Sequence, residues 1–384
     1  MNILVLNSGS SSLKYQLINN KVLVKGHIDG IGLKTCVYKY KIKKSFKEKC
    51  KIKNHNQAVK LVLKTIKQVI NQKEINAIGH RVVHGGEYYS KAVKITSKVM
   101  RTIKGLKELA PLHNPPNLAG IKACKKVFPK IPQVAVFDTA FHQSIPKKAY
   151  LYGIPIKYYE KFGIRKYGFH GTSHKYVMLE TKKILKKKSV NLITCHLGNG
   201  SSITAIEKNK SIDTSMGFTP LQGLMMGTRS GDVDPAIITF LCKKLKKKPE
   251  EITSILNKES GLLGIDGYSD VRTIHEKALK GNKKCILGLD MFAYRVTEYI
   301  GSYIGIMKKV DAIVFTGGIG EGAYYLRELI CKRLENVGVK LDKRKNKQHS
   351  TTISTKNSKI KVLVIPTNEE LMIAQETKEI IKWL

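Results

Sequence analysis

Two segments of this chain, LNSGSSS (6–12) and LGNGSSI (197–203), follow one plan: a strand end, a small polar turn with Asn, Gly and consecutive Ser, and a returning strand. Glycine and serine at a hairpin tip permit a tight turn and leave backbone N–H groups open to close approach. A single copy reads as an ordinary turn. Two copies, one in each half of 384 residues, predict two similar domains built by duplication. The length agrees, since one domain takes roughly 100–200 residues.

The flanking stretches read as α/β. ILVLN (3–7), SLKYQLI (12–18), KVLVKGHI (21–28) and TCVYKYKI (35–42) predict an opening meander of strands. Val59, Val62, Leu63, Ile66 and Ile70 recur at helical spacing, and INAIGHRVVHGG (75–86) and VAVFDTAFH (134–142) read as strands running into loops. Ile145-Pro146 suggests a crossover out of the first domain. In the second half, NLITCHLGNGSSITAIE (191–207) and KSIDTS (210–215) predict three strands, and Cys285–Met307 a long helix. DAIVFTGGIGE (311–321) is a strand breaking on paired glycines, and KVLVIPTNEE (361–370) is a strand before an amphipathic helix.

Charge needs separate treatment. Lys+Arg 69 against Asp+Glu 29 gives +40, a balance that raises nucleic acid or an anionic membrane as a partner. Only nine of the 69 are arginine, and the lysines spread in short runs such as KKILKKK (182–188), with no interleaved aromatic platform for single strands. The expectation is a solvated lysine surface that attracts anionic substrates, with neither nucleic acid nor membrane as partner. No apolar run approaches the ~20 residues that span a bilayer. The opening MNILVLNSGSSSLKY lacks the form of a signal peptide, and seven scattered cysteines make no disulfide framework, so a cytoplasmic location is expected.

Several residues carry chemistry. Asn7, Ser10, Ser12 and Lys14 add side-chain donors and a cation to the first tip, and GGIGE (317–321) is a third glycine element. No GxxxxGK[ST] motif exists, which excludes the P-loop kinase architecture. Arg81, Arg229 and Arg272 lie among Gly, Asp and Ser rather than in lysine runs, and only guanidinium offers a bidentate fork for carboxylate or phosphoryl groups. Histidines gather in the same loops: His80, His84, His113, His142, His170, His174 and His196. Asp138 ends a strand, where α/β enzymes keep their sites. From pattern alone Glu369, after Thr367 and Asn368, reads first as a cap on the last helix.

LNSGSSSLK, GHRVVHGGE, VFDTAFH, YGFHGTSH, HLGNGSS, DTSMGFTPL, MGTRSGDVDP, GGIGE and IPTNEE, in that order from residue 2 to 376, together resemble the acetate kinase family, which shares a superfamily with sugar kinases, actin and heat-shock ATPases. The resemblance implies two ribonuclease-H-like domains in the actin-like ATPase fold, with ATP and acetate in a cleft between them. It sets residues 1–143 plus 368–384 as the acetate and Mg²⁺ domain and 144–367 as the nucleotide domain. It implies a homodimer, ATP/ADP as co-substrate, and Mg²⁺, or Mn²⁺ in its place, at Asn7 and Glu369.

Carried onto this sequence, the resemblance places Ser10, Ser12 and Lys14 in the first phosphate motif. Arg81 holds the acetate carboxylate, and Val83, Leu112, Phe169 and Pro220 surround its methyl group. Asp138, His170 and Arg229 are catalytic. His196, Leu197, Gly198, Asn199 and Gly200, then Asp270, Val271 and Arg272, then Gly318, Ile319, Gly320, Glu321 and Gly322 bind the nucleotide. The departures are Gly322 where Asn is usual, Pro116 where Ala is usual, and a loop before Asp270 one residue shorter. The expected reaction is transfer of the ATP γ-phosphate to acetate, giving acetyl phosphate. Propionate kinase shares nearly all these motifs, with Val83 arguing for acetate. A non-catalytic nucleotide-gated binding protein would share the glycine loops without needing Arg81.

Overall fold

The computed structural model describes residues 1–382 and divides the chain into two units. One comprises Met1–Gln143 with the stretch from Asn368 onward, the other Ser144–Thr367.

The first unit is built on β1 (Asn2–Ser8), β2 (Ser12–Asn19), β3 (Lys21–Asp29), β4 (Cys36–Lys41), β5 (Ser45–Cys50), β6 (Ile75–Val82), β7 (Val93–Lys94) and β8 (Gln133–Phe137). Their order in the sheet is β5-β4-β3-β2-β1-β6-β8-β7. The four foreseen opening strands form, and β5 joins them unforeseen. Its SFKEKC carries no apolar face, and five of its six residues are exposed, so it lacks the alternation by which strands are recognised. One sheet face packs on the helices His55–Ile66 and Asn114–Val127, with Leu4, Leu13, Tyr15, Val59, Val62 and Cys124 in the core. The first helix begins earlier than its apolar spacing alone indicates, because the Asn54 side chain caps it by accepting from Gln57 N. Over β1, β6 and β8 the other face is closed by the C-terminal helix Glu369–Lys382, which packs Ile373 and Ala374 against Ile3, Val5, Val134 and Val136.

The second unit holds β9 (Leu192–Leu197), β10 (Ser201–Glu207), β11 (Lys210–Thr214), β12 (Ala312–Thr316) and β13 (Lys361–Val364), in the order β11-β10-β9-β12-β13. Its central strands LITCHL and AIVFT are buried at every residue, as expected of parallel strands covered on both faces. Helix Lys283–Ile306 lays Leu289, Phe292, Val296, Ile300 and Tyr303 on that core, each side chain contributing about 1.5–3 kcal/mol by burial.

The duplication read from the hairpin tips is present in the topology. In each unit an antiparallel β-hairpin and third strand (β1-β2-β3; β9-β10-β11) continue through two parallel strands (β6, β8; β12, β13) on the other side of the first strand. The glycine- and serine-rich tips occupy equivalent places in the two sheets.

Candidate active site

In the first unit, Arg81 near the end of β6 aims at Asp138, just past β8. Arg81 donates from Nε to Asp138 Oδ1 at 3.0 Å and from Nη2 to Oδ2 at 2.7 Å. The Asp138 side chain is 1% exposed and that of Arg81 22%. Burial opposes the Arg81 charge, but Asp138 and then Glu369 outweigh it and hold its pKa above the ordinary range. Nη1 makes no hydrogen bond to any described residue, so one edge of the guanidinium stays available.

Glu369 lies 3.8 Å from Arg81 Nε. The expectation that it caps the last helix is corrected: Asn368 Oδ1 accepts from Leu371 N and does the capping, which leaves the Glu369 carboxylate for other work. Burial pushes its pKa up to about 7 against the pull of Arg81, with Asp138 and Glu370 adding to the rise. Asn7 on β1 stands opposite Lys14 on β2, and its side-chain amide bonds no described residue. These are two oxygen donors of the hard kind that Mg²⁺ takes, alongside water and substrate phosphates. No three His, Cys, Asp or Glu cluster for a metal among the described residues, so any ion held here draws most of its ligands from water and substrate.

The first tip is tied down by Gly9 N donating to Ser12 O and by the His55 ring donating to Gly9 O. Two asparagines that the sequence reading passed over fasten this tip to the Arg81 strand. Asn117 donates to Ser8 O at 2.7 Å and accepts from Val83 N at 3.0 Å, while Asn114 accepts from His84 N and donates back to His84 O. Both are buried on the helix that follows Leu112. Val83 is buried and Leu112 is 67% exposed. The other two expected pocket residues, Phe169 and Pro220, belong to the second unit.

In the second unit His170 takes left-handed backbone angles (φ 56°) at the entry to helix Gly171–Leu185. A non-glycine residue there is strained, and such strain collects at functional sites. Its ring stacks on His196 with centroids 4.3 Å apart. Arg229 donates from Nη1 to Pro220 O at 3.2 Å and has no carboxylate partner among the described residues; burial lowers its pKa. Gly200, at the second tip, stands between these groups: a Cβ placed on it would lie 3.5 Å from both Arg229 Nη1 and His170 Nε2.

The three segments expected to bind the nucleotide lie close to one another in this unit. The Asn199 side chain lies against Gly227, which also faces the Ser269 carbonyl just before Asp270, and Gly198 approaches Gly318 N. Gly317 needs its positive φ of 76°, because a Cβ there would meet the Leu197 carbonyl. Glu321 turns inward, accepting from Gly317 N and Thr367 N, whereas Gly318 and Gly322 face open space. Asp270 caps helix Val271–Leu279 and grips the exposed Arg272, which holds its carboxyl down at about 2.

Beneath this segment lies Arg327, fully buried and missed by the sequence reading because it follows no motif. It donates from Nη1 to Gly320 O and Glu321 O, from Nε to Asn346 Oδ1, and from Nη2 to Asn346 O, while the His349 ring donates from Nδ1 to the same Glu321 carbonyl.

Two copies of one α/β topology, each with a glycine- and serine-rich tip, define the two-domain actin-like ATPase fold of a phosphotransferase. The chain belongs to the acetokinase family, whose model matches residues 2–375. It is 54% identical over 402 residues to the acetate kinase of Thermoanaerobacter pseudethanolicus, covering 100% of both chains. Among solved structures it resembles a propionate kinase from Francisella tularensis (TM-score 0.96, 47% identity, 98% of this chain and 99% of that one). It also resembles the Porphyromonas gingivalis acetate kinase (TM-score 0.95, 42% identity, 99% of each).

Proposed function

We propose that this protein catalyses reversible, Mg²⁺-dependent transfer of the ATP γ-phosphoryl group to acetate, giving acetyl phosphate and ADP. The observation that carries the reading is the division of labour between two arginines. Arg81 is oriented by Asp138 and keeps one edge available for a small carboxylate, while Arg229 is half-buried with no acid on it and lies beside His170. Acetate is already ionised at neutral pH, so its oxygen attacks in line without a general base. Asp138 therefore serves as the anchor of Arg81 rather than as a proton acceptor. Arg229 offsets the charge of the phosphoryl oxygens in transit, His170 donates a hydrogen bond to them, and the backbone N–H groups at the glycine tips hold the nucleotide phosphates. Asn7 and Glu369 would hold the Mg²⁺, which when bound would offset the negative charge of the nucleotide phosphates.

Two further expectations belong to this reading. Helix Ala236–Leu245 buries none of its residues and exposes Ile237, Phe240 and Leu245, an apolar face suited to a second copy in a homodimer. No helix among the described residues is long and apolar enough to cross a membrane, and the seven cysteines are free; both accord with a cytoplasmic enzyme.

The likeness to a propionate kinase structure supports a second reading, in which propionate is the better acceptor. One methylene changes specificity by only about 1–3 kcal/mol, so measurable activity on both acids is expected. The test is ATP-dependent acyl phosphate formation with acetate, propionate and butyrate, with and without Mg²⁺. A kcat/KM order led by acetate and lost without Mg²⁺ supports the first reading. An order led by propionate selects the second, and silence with every acid overturns both.

A further inference from the structure

Behind His170 runs a buried polar chain that the proposed reaction does not by itself require. His170 Nδ1 lies 2.9 Å from Ser202 Oγ, Ser202 Oγ 2.8 Å from His174 Nε2, and His174 Nδ1 2.7 Å from Thr194 Oγ1. Ser202, His174 and Thr194 are each 0% exposed. A neutral imidazole has one donor and one acceptor nitrogen, so the chain has two possible directions.

In one direction His170 donates from Nδ1 to Ser202, Ser202 donates to His174, and His174 donates to Thr194. The Thr194 proton is then left with only the Thr204 carbonyl, at 3.5 Å. In the other, Thr194 donates to His174 Nδ1, His174 donates from Nε2 to Ser202, and Ser202 donates to His170 Nδ1. Both hydroxyl protons and the His174 proton then lie in bonds of 2.9 Å or shorter. The second direction wastes no buried donor and is favoured, since a poorly satisfied buried hydroxyl is costly. It forces the His170 proton onto Nε2, the atom that shares the space at Gly200 with Arg229 Nη1.

We propose that Thr194, His174 and Ser202 are positioning residues that hold His170 as a neutral Nε2–H donor toward the transferring phosphoryl group. The inference rests on the acetate kinase reading for the identity of that group. His170 stacks on His196, shares the space at Gly200 with Arg229, and has His174 behind Ser202.

Two measurements on the full-length enzyme test this. Nitrogen-15 NMR of histidine-labelled protein, with His170 assigned through His170→Gln, reads the tautomer directly. The expected result is protonation at Nε2 and not at Nδ1; an Nδ1–H tautomer overturns the proposal. The pH profile of kcat is then compared for wild type, Ser202→Ala and Ser202→Thr. Wild type holds level above about pH 8, where Glu369, pushed up to about 7, is ionised. Ser202→Ala frees the ring to place its proton on Nδ1, so kcat falls about tenfold above that pH, with substrate KM values little changed. Ser202→Thr restores the hydroxyl and the level profile. An unchanged profile in Ser202→Ala overturns the proposal. Should that variant fail to fold, Thr194→Val removes the far donor and must shift the tautomer. Acyl phosphate formation absent in wild type would sink the functional reading, and the NMR result would still decide the tautomer.

Discussion

Arg81 and Asp138 form a two-point ion pair, Nε to Oδ1 and Nη2 to Oδ2, with the aspartate almost wholly buried. The fork geometry fixes the plane of the guanidinium, so the direction in which Nη1 offers its hydrogens is set before any substrate arrives. Asp138→Asn keeps the shape and removes the charge. Losing a charged hydrogen bond costs about 1.5–3 kcal/mol, so kcat/KM for acetate should fall roughly ten- to a hundredfold. Nucleotide KM should stay within about twofold, since the pair bonds none of Ser10, Ser12 and Lys14, the phosphate residues expected in the first unit. Equal losses for acetate and nucleotide would mean that the pair serves the fold rather than the acceptor.

Arg229 has no acid to satisfy it, and its charge is available to a passing phosphoryl group. Arg229→Ala should lower kcat by about 10³-fold or more, the range seen when an arginine that stabilises transferring phosphoryl is removed. Nucleotide affinity, measured by calorimetry, should change far less. Near-normal turnover would remove Arg229 from the mechanism.

Gly200 has ordinary negative-φ backbone, and a methyl group added there would meet Arg229 and His170 only at van der Waals distance. Gly200→Ala should therefore fold with a melting temperature within a few degrees of wild type. Because the methyl fills the space those two groups share, kcat should nevertheless drop by at least about tenfold. Full activity in this variant would show that the phosphoryl group passes elsewhere.

Arg327 makes four donations to oxygen acceptors with no carboxylate near it, and burial lowers its pKa to about 10, still charged at neutral pH. Lysine has three donors and no planar fork. Arg327→Lys should loosen the Gly320–Glu321 carbonyls, raise nucleotide KM about tenfold and cost about 2–3 kcal/mol of stability, with kcat at saturation nearly kept. A nucleotide KM unchanged by the substitution would refute the link to Gly318–Gly322.

His80 is 2% exposed and donates from Nε2 to Gln133 Oε1, and burial depresses its pKa to about 4. In the unfolded chain it takes a proton near pH 6.5, well before the folded form does. The unfolded state binds more protons between those values, so stability falls as pH drops from about 6.5 to about 4. The expected loss is about 3 kcal/mol on this group's account. Urea titrations at pH 7 and 4.5 should show this decline in wild type and a shallower one in His80→Phe. Identical pH slopes would assign the acid sensitivity to other groups.

How far the sequence could carry this picture depends on which groups announce themselves locally. The two hairpin tips, the buried strands β9 and β12 and the long helix Lys283–Ile306 were legible because each has its own periodicity or turn chemistry. The sites of Arg81, Asp138, His170 and Arg229 were legible as motif members, but their partnerships were not. Nothing at position 138 says which arginine it faces, because the parallel pairing of β6 and β8 is a property of the sheet. The buried supports were invisible for the same reason. Ser202 and Thr194 look like any strand hydroxyl, Asn117 like any helix residue, and His174 like one more histidine of a glycine-rich loop. Strand β5 hid behind its charges: Lys47 lies in line across the sheet with Lys39, His27 and Lys14.

The first unit is discontinuous in the chain, and this governs the order in which the protein can be made. Strands β1, β6 and β8 leave the ribosome before the second unit, yet their second face stays uncovered until Ile373 and Ala374 follow that unit out. The whole second unit is translated in between and can fold first. The same late helix brings Glu369. A chain cut short before it would lose a layer of the first unit and a proposed Mg²⁺ ligand together.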